Sequence, residues 1–169
     1  AERISGIQVC SRRPASAEAF AAAAAARTGL AVRSGADGPT HADLVITATN
    51  AGSPIMSADM LATDVAVLHL GGDELPVAFI EQALARGTVI CDDVDSVCHR
   101  NSQSLPLYFS RQNLRLSDLA GIFKVRSLHD PLLRGEPASA RPALMTCVGL
   151  PVLDLYLAQW LYEHGADSA

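Results

Sequence analysis

The sequence predicts an α/β fold built around a parallel β-sheet, and three observations support this prediction. Short apolar segments alternate with helix-type patterns about every 20 residues, which is typical of parallel βαβ units. The segment 44–48 is uncharged and rich in β-branched residues, as expected of a strand buried on both faces. The strongest helical pattern, at 151–163, predicts a C-terminal helical return segment after the strands.

Each predicted element is defined by its composition or by the residue that ends it. Pro14 suits the first turn of a helix, and the Ala-rich stretch behind it ends before Gly29. Gly87 ends a second periodic segment, and Ser117 is the predicted cap of a short helix. The predicted strands are 4–10, 30–33, 44–48, 65–70 and 88–91, and the predicted helices are 16–27, 77–86, 94–101, 116–123 and 151–163.

Composition and charge exclude several classes of protein. The chain of 169 residues is 49% hydrophobic and 18% charged with a net charge of −5, which fits an ordered globular protein. Its Lys and Arg residues are dispersed, so no nucleic-acid partner is expected. No apolar run approaches the ~18–20 residues of a membrane span, and the first residues do not resemble a secretory signal. A cytoplasmic location is therefore expected, and the cysteine spacing predicts no metal site.

Candidate binding residues follow two of the predicted strands. In an open parallel sheet, ligands bind beyond the carboxyl ends of the strands. Thr47, Thr49 and Asn50 end one strand, and Gly71 and Gly72 follow the next. Small and hydroxyl-bearing residues let a flat ligand approach the backbone, so these positions predict a groove for a nicotinamide dinucleotide. The GxGxxG motif that normally opens a dinucleotide-binding fold is not found in the chain, so its first βα unit is predicted to be missing.

A further group of candidates, Ser11, Arg12 and Arg13, follows the first predicted strand. In a dinucleotide-binding fold this is where the adenosine ribose binds, and an acidic residue there favours NAD. The chain has two Arg residues instead, whose planar charged donors suit the 2′-phosphate of NADP. Two solvated Arg residues at the start of a helix are the alternative, and the choice between NAD and NADP stays open.

Five motifs follow one another over nearly the whole chain. They are Val9–Arg12, Ala42–Thr49, Gly71–Asp73, Val89–Asp93 and Gly149–Asp154. Their order resembles that of the ornithine cyclodeaminase/mu-crystallin family. The resemblance implies a Rossmann-like parallel sheet, NAD or NADP as cofactor, a small amino-acid substrate and a homodimer. It also implies oxidoreductase chemistry, with hydride transfer at the carbon–nitrogen bond of an amino acid or imine.

The resemblance also implies roles for three residues near the predicted groove. Asp73 matches the family's catalytic acid, which handles protons at the substrate amine or stabilises a developing iminium. A turn that caps the following helix is the alternative for this residue. Cys147 stands where the family usually has Ser, and Gly149 would let the chain pass close to the nicotinamide.

A subgroup of the family is more similar still. Residues 67–69, 92–100 and 103–105 are similar to the dehydrogenases that form 2,3-diaminopropionate for siderophores and peptide antibiotics. Two other functions stay open. One is a cyclodeaminase, which returns the hydride to the same substrate, and the other is a non-catalytic ligand-binding subunit.

The predicted organisation has three parts. Residues 1–128 form a partial dinucleotide-binding domain, and residues 129–142 form a linker rich in Pro. Residues 143–169 carry the last helix, which is predicted to dock on an N-terminal substrate-binding and dimerisation domain. The resemblance covers only the C-terminal half of a family member, so either a homodimer or a complementary N-terminal polypeptide is the expected partner.

Overall fold

The computed structural model describes residues 4–36, 38–130, 140–149 and 151–164. It confirms the predicted α/β architecture, because strands alternate with helices and pair in parallel. The chain divides into two compact units, Ala1–Ala42 and Asp43–Ala169. Among the described residues, no helix has the length and apolar character needed to cross a lipid bilayer.

The smaller unit is a single βαβ motif. Strand β1 (Ile7–Val9) pairs in parallel with β2 (Val32–Ser34), and helix α1 (Pro14–Thr28) connects them. The helix begins with Pro14, at a position where no intrahelical N–H bond is required. It ends at Gly29, whose φ of 71° lies in the left-handed region that glycine adopts at little cost.

The larger unit is organised around a sheet of five strands. They are β3 (Leu44–Thr47), β4 (Ala66–His69), β5 (Thr88–Cys91), β6 (Arg126–Ser127) and β7 (Ala143–Thr146). Their spatial order is β3-β4-β7-β5-β6, and every neighbouring pair is parallel. The last strand in the sequence, β7, therefore lies at the centre of the sheet, and all five strands end at the same edge.

The described part of the larger unit also contains five α-helices, of which the first two contact the sheet. They are α2 (Val77–Arg86), α3 (Val94–His99), α4 (Ser104–Ser110), α5 (Leu116–Leu119) and α6 (Pro151–His164). Helix α2 buries Phe79 and Ile80 and packs against β5, β7 and α4. Helices α3, α4 and α5 pack on one another, and the buried ring of Phe109 contacts the ring of Phe123.

The two faces of the five-stranded sheet differ in exposure. Successive side chains of a strand point to opposite faces. On β3, Val45 and Thr47 are 7% and 3% exposed, whereas Leu44 and Ile46 are 56% and 58% exposed. The same alternation of buried and partly exposed residues runs through β4, β5 and β7. The helices account for the buried face.

Four elements differ from the sequence-based prediction. Strands β6 and β7 and helix α4 were not predicted, because none of them shows a strong apolar period. The helix predicted at 116–123 is only the short α5, and its N-cap is Arg115, so the predicted cap Ser117 is wrong. Most of the predicted linker, residues 131–139, lies outside the described residues.

Candidate functional site

A cleft of about 380 Å³ lies at the carboxyl edge of the five-stranded sheet. Residues Asn50–Gly52 after β3, Leu70–Gly72 after β4 and Val148 after β7 form part of its wall. Arg100 and Gln103, in the connection between α3 and α4, also line it. Ligands of open α/β sheets bind at this edge, where the strand ends of a parallel sheet meet.

Two glycines in the wall leave no space for a side chain. A Cβ added to Gly71 would lie closer than 3.0 Å to the carbonyl oxygen of Thr49, and one at Gly72 would lie 2.5 Å from that of Ala51. Backbone bonds join the same segments, because the Gly72 N–H donates to the Thr49 carbonyl at 2.9 Å and the Asp73 N–H to the Ala51 carbonyl at 2.8 Å. The residues after β3 and β4 thus form one closely packed backbone surface that glycine permits.

A buried carboxylate and a buried imidazole support this surface. Glu74 is fully buried, and its Oε1 accepts a hydrogen bond from the Thr49 N–H. His69 Nε2 lies 2.7 Å from the Gly72 carbonyl oxygen. A carbonyl can only accept, so Nε2 carries the proton, and Nδ1 faces the hydroxyl of Thr146 at 3.4 Å. The pair therefore links the ends of β3, β4 and β7.

The charge state of His69 follows from its burial. Burial lowers the pKa of His69, and this outweighs the opposing effects of the Gly72 carbonyl and of the Glu74 and Asp73 charges. The imidazole is therefore neutral at physiological pH and serves as a hydrogen-bonding link within the sheet. Glu74 Oε2, 3.4 Å from His69 Nε2, has no hydrogen-bond partner among the described residues.

Asp73, the predicted catalytic acid, lies beside the cleft wall and is buried. It is 2% exposed, and its Oδ2 lies 2.6 Å from Nη2 of Arg111. The Arg111 side chain is half-exposed and follows α4, which places a guanidinium at the carboxylate. The sequence analysis did not identify Arg111, since the two residues stand 38 positions apart. The catalytic role of Asp73 stays a prediction.

Asp92 anchors the chain beyond β7. Its Oδ2 accepts hydrogen bonds from the N–H groups of Val148 at 2.9 Å and Gly149 at 2.8 Å, and its Oδ1 accepts one from Asp93 at 2.9 Å. Gly149 has a φ of 83°, in the left-handed region that favours glycine. The carboxylate at the end of β5 therefore fixes Val148 at the cleft, while Asp93 caps α3.

Cys147 contributes its backbone to the site. Its carbonyl accepts a hydrogen bond from Gln103 Nε2 at 2.9 Å, and its N–H donates to the His69 carbonyl at 2.9 Å. Burial raises the pKa of the Cys147 thiol, and the Asp92 charge raises it further. The thiol is therefore protonated at neutral pH, which disfavours it as a nucleophile.

The structure brings some of the predicted cofactor-binding residues together. Asn50, Gly71 and Gly72 line the cleft, and Thr49 adjoins it through the backbone bonds described above. Thr47 is buried, and its hydroxyl has no hydrogen-bond partner among the described residues.

The remaining predicted cofactor residues lie in the smaller unit. Ser11, Arg12 and Arg13 occupy the exposed connection between β1 and α1, and the Arg13 N–H donates to the Ser11 hydroxyl at 3.4 Å. Their role in cofactor binding stays a prediction. Among the described residues, no group of three or more His, Cys, Asp or Glu side chains is placed to hold a metal ion.

Sequence reasoning did not assign the connection between α3 and α4 to the site. Arg100, Ser102 and Gln103 line the cleft, yet nothing in their local pattern marks them as binding residues. The only signal was that Arg100 and Gln103 fall within the segments resembling the diaminopropionate-forming subgroup. Their position depends on the pairing of Gln103 with Cys147, 44 residues away.

Three solved structures have a fold similar to that of this chain. The chain is similar to the Δ1-pyrroline-2-carboxylate reductase of Thermococcus litoralis in complex with NADH and L-proline, with a TM-score of 0.75 and 17% identity over 96% of this chain and 50% of that one. It is also similar to a probable ornithine cyclodeaminase from Bordetella pertussis Tohama I, with a TM-score of 0.67 and 18% identity over 95% of this chain and 60% of that one.

A third similar structure is an archaeal alanine dehydrogenase dimer with bound NAD, with a TM-score of 0.75 and 15% identity over 97% of this chain and 50% of that one. No protein-family model and no curated protein sequence matches the chain. The chain spans 50–60% of the length of these three structures. At such low identity the similarity shows the fold alone, which is a Rossmann-like α/β architecture.

Proposed function

We propose that the chain is part of an NAD(P)-dependent oxidoreductase that acts on the carbon–nitrogen bond of an amino acid or imine. One observation carries the proposal, namely the cleft at the strand ends with a wall of bare backbone at Gly71 and Gly72. Two of the similar structures contain NADH or NAD, and the names of all three enzymes refer to amino-acid or imine chemistry.

The residues present fit a nicotinamide cofactor. A Cβ at Gly71 or Gly72 would collide with the carbonyl oxygen of Thr49 or Ala51, so glycine lets the segments after β3 and β4 pack closely and leaves this part of the wall without side chains. A planar nicotinamide ring fits against such a wall. Asn50 offers an amide for hydrogen bonds to ribose or carboxamide groups, and Asp92 holds Val148 against the cleft. When bound, the cofactor accepts or supplies the hydride, and the protein orients the reactants and excludes water.

The ion pair between the buried Asp73 and the half-exposed Arg111 favours an electrostatic role for the carboxylate. Asp73 is 2% exposed, so a substrate proton could reach it only if Arg111 moved. We propose that Asp73 fixes the local potential and the position of Arg111, and that proton transfer uses solvent or another group. Ser11, Arg12 and Arg13 are proposed to bind the adenosine end, with the Arg residues favouring NADP.

The finer assignment is a 2,3-diaminopropionate-forming dehydrogenase that acts as a homodimer. It rests on the resemblance of residues 67–69, 92–100 and 103–105 to that subgroup. Under this proposal the product enters siderophore or antibiotic biosynthesis.

Calorimetric titration of the intact protein with NADH and NADPH tests cofactor binding. Absorbance of the reduced nicotinamide, followed with a panel of amino acids and NAD or NADP, tests the reaction. We expect one dinucleotide to bind and one amino acid to yield reduced cofactor in proportion to the substrate consumed. Failure of both dinucleotides to bind would rule out the proposal.

A cyclodeaminase is the second candidate, and similarity to the probable ornithine cyclodeaminase favours it. Such an enzyme returns the hydride to its own substrate. Consumption of ornithine with release of ammonia and without net reduced cofactor would identify this function. Binding of a dinucleotide with no turnover of any amino acid would instead indicate a ligand-binding subunit.

A further inference from the structure

We propose that a second cavity, bounded by α3, α4 and α5, binds a small apolar monocarboxylate, and that this ligand changes dinucleotide binding in the cleft at the strand ends. The second cavity has a volume of about 320 Å³, within the size range of small-molecule sites. None of the residues that line it also lines the cleft. The effect on the dinucleotide rests on the proposed function, whereas the binding of the carboxylate does not.

The charged side chains that line the second cavity are basic. They are His99 and Arg115, and no Asp or Glu lines the cavity. No ion pair or hydrogen bond of the Arg115 guanidinium is found among the residues that the structure describes. A guanidinium can bind a carboxylate through two parallel hydrogen bonds. The charge of the lining therefore favours an anionic ligand.

The charges around the second cavity limit that anion to a single negative charge. Burial raises the pKa of the Cys98 thiol in the lining, and the charges of Asp95, Asp93 and Asp118 raise it further. These carboxylates do not line the cavity, yet their negative potential reaches it. A monocarboxylate is therefore favoured over a dianion such as phosphate.

Polar and apolar groups of the lining suit the two ends of such a ligand. The Ser110 hydroxyl donates to Asn101 Oδ1 at 3.0 Å, which leaves the amide N–H groups of Asn101 for the carboxylate. Pro106 and Leu116 are buried, and Leu114 is 44% exposed. An apolar body placed against these three side chains would remove apolar surface from water, which stabilises the complex.

One short segment lines both cavities. Positions 98, 99 and 101 line the second cavity, and positions 100, 102 and 103 line the cleft. The Arg100 carbonyl accepts from the N–H groups of Ser102 at 2.7 Å and Gln103 at 3.3 Å, so these positions form one turn. A carboxylate bound to Asn101 would restrain this turn. A dinucleotide that binds afterwards then has less of the chain to order and binds more tightly.

Calorimetric titration of the intact protein with benzoate tests the site, and benzamide is the neutral ligand of similar shape. We expect Arg115→Gln to raise the Kd of benzoate about 10-fold, as loss of a charged hydrogen bond does, and benzamide to bind at least about 10-fold more weakly than benzoate. Arg86→Gln is the matched control and should leave the Kd unchanged, because Arg86 bonds Gln82 on α2 and lines neither cavity.

Cys98 reports whether benzoate occupies the second cavity. Alkylation by iodoacetamide, followed by mass spectrometry of the peptides, compares Cys98 with the exposed Cys10 of the smaller unit in one sample. At about ten times its Kd, benzoate should slow the alkylation of Cys98 about 10-fold and leave that of Cys10 unchanged. In Arg115→Gln the same benzoate concentration should protect Cys98 much less.

Titration with NADH and NADPH, with and without saturating benzoate, tests the effect on the cleft. We expect benzoate to lower the Kd of the bound dinucleotide about 2- to 5-fold, and to have no effect in Arg115→Gln. An unchanged Kd would overturn the coupling, and a raised Kd would place benzoate in the cleft instead. Absence of benzoate binding, equal binding of benzamide, or unprotected Cys98 would overturn the site. If benzoate protects Cys98 while neither dinucleotide binds, the carboxylate site stands and the proposed oxidoreductase function fails.

Discussion

The Glu74 carboxylate occupies the space that a side chain at position 71 would need, so position 71 must be glycine. A Cβ at Gly71 would meet both the Glu74 carboxylate and the Thr49 carbonyl. The carboxylate cannot withdraw without losing its hydrogen bond from the Thr49 N–H, and the carbonyl belongs to the backbone. The Glu74–Thr49 hydrogen bond thus depends on glycine at position 71, and together they fix a cleft wall that is free of side chains at this position.

We expect Gly71→Ala to lower the free energy of unfolding by about 1–3 kcal/mol, because the added methyl overpacks a rigid site. Urea denaturation monitored by circular dichroism measures this change. Gly121→Ala is the control, since a Cβ there would meet nothing within 4 Å. The control should stay within about 0.5 kcal/mol of the unmodified protein. Equal losses in the two variants would contradict the close contact at Gly71.

His69 makes the stability of the fold depend on pH. Burial holds its pKa in the folded protein below the ordinary value of 6.5. Between the folded pKa and 6.5, the unfolded chain binds a proton that the folded protein does not, so the free energy of unfolding rises with pH. The contribution of neutral His69 to the free energy of unfolding is therefore complete above pH 6.5. It is lost as the pH falls toward the pKa of His69 in the folded protein.

The test is to measure how the free energy of unfolding of His69→Gln depends on pH. Gln keeps a donor for the Gly72 carbonyl but does not titrate, so the slope just below pH 6.5 should decrease. One titrating group contributes at most about 1.4 kcal/mol per pH unit. An unchanged slope in His69→Gln would mean that His69 is not buried in its neutral form.

At the scale of elements, the central strand β7 connects the site to the rest of the sheet. It pairs with β4 and β5, and the residues that follow it are held by side chains from other elements. Gln103 binds the Cys147 carbonyl, and Asp92 binds the next two N–H groups. The course of the chain from β7 toward α6 is therefore set by hydrogen bonds that β5 and the α3–α4 connection supply.

Asp92→Ala should release this segment. Hydrogen bonds to a charged group contribute about 1.5–3 kcal/mol, and we expect a loss of that size in the free energy of unfolding. Asp92→Asn should lose less, because its carbonyl oxygen can still accept from Val148 and Gly149. Hydrogen exchange of these two amides gives the local measurement. Exchange as slow in Asp92→Ala as in the unmodified protein would show that another group holds the segment.

At the scale of the whole molecule, sequence patterns predicted the α/β class, the parallel pairing and three residues of the cleft wall. Each of these depends on local information, such as apolar periodicity or the small residues that end a strand. The position of β7 depends on contacts with two strands far earlier in the chain, as in the pairing of His69 with Thr146 and of Thr88 with Ala143. Arg111 and Gln103 reach their partners across 38 and 44 residues. No local pattern encodes such contacts.

The sheet of the larger unit has one covered face and one open, apolar face. Along β3 the two faces can be compared at adjacent positions, since Val45 is 7% exposed and Ile46 is 58% exposed. Leu68 and Met145 continue the row of Ile46 across β4 and β7, and all are only partly buried. A substitution by a polar residue of similar shape should therefore have very different costs on the two faces.

We expect Val45→Thr to lower the free energy of unfolding by about 1–3 kcal/mol, because it buries a hydroxyl without a partner. Ile46→Thr should cost no more than about 0.5 kcal/mol, since its side chain is already in contact with water. Both variants keep a β-branched residue in the strand, so strand propensity does not separate them.

Urea denaturation at two protein concentrations measures both costs. A cost for Ile46→Thr as large as that for Val45→Thr would show that this face is covered in solution, and a cost that increases with protein concentration would show that another copy covers it.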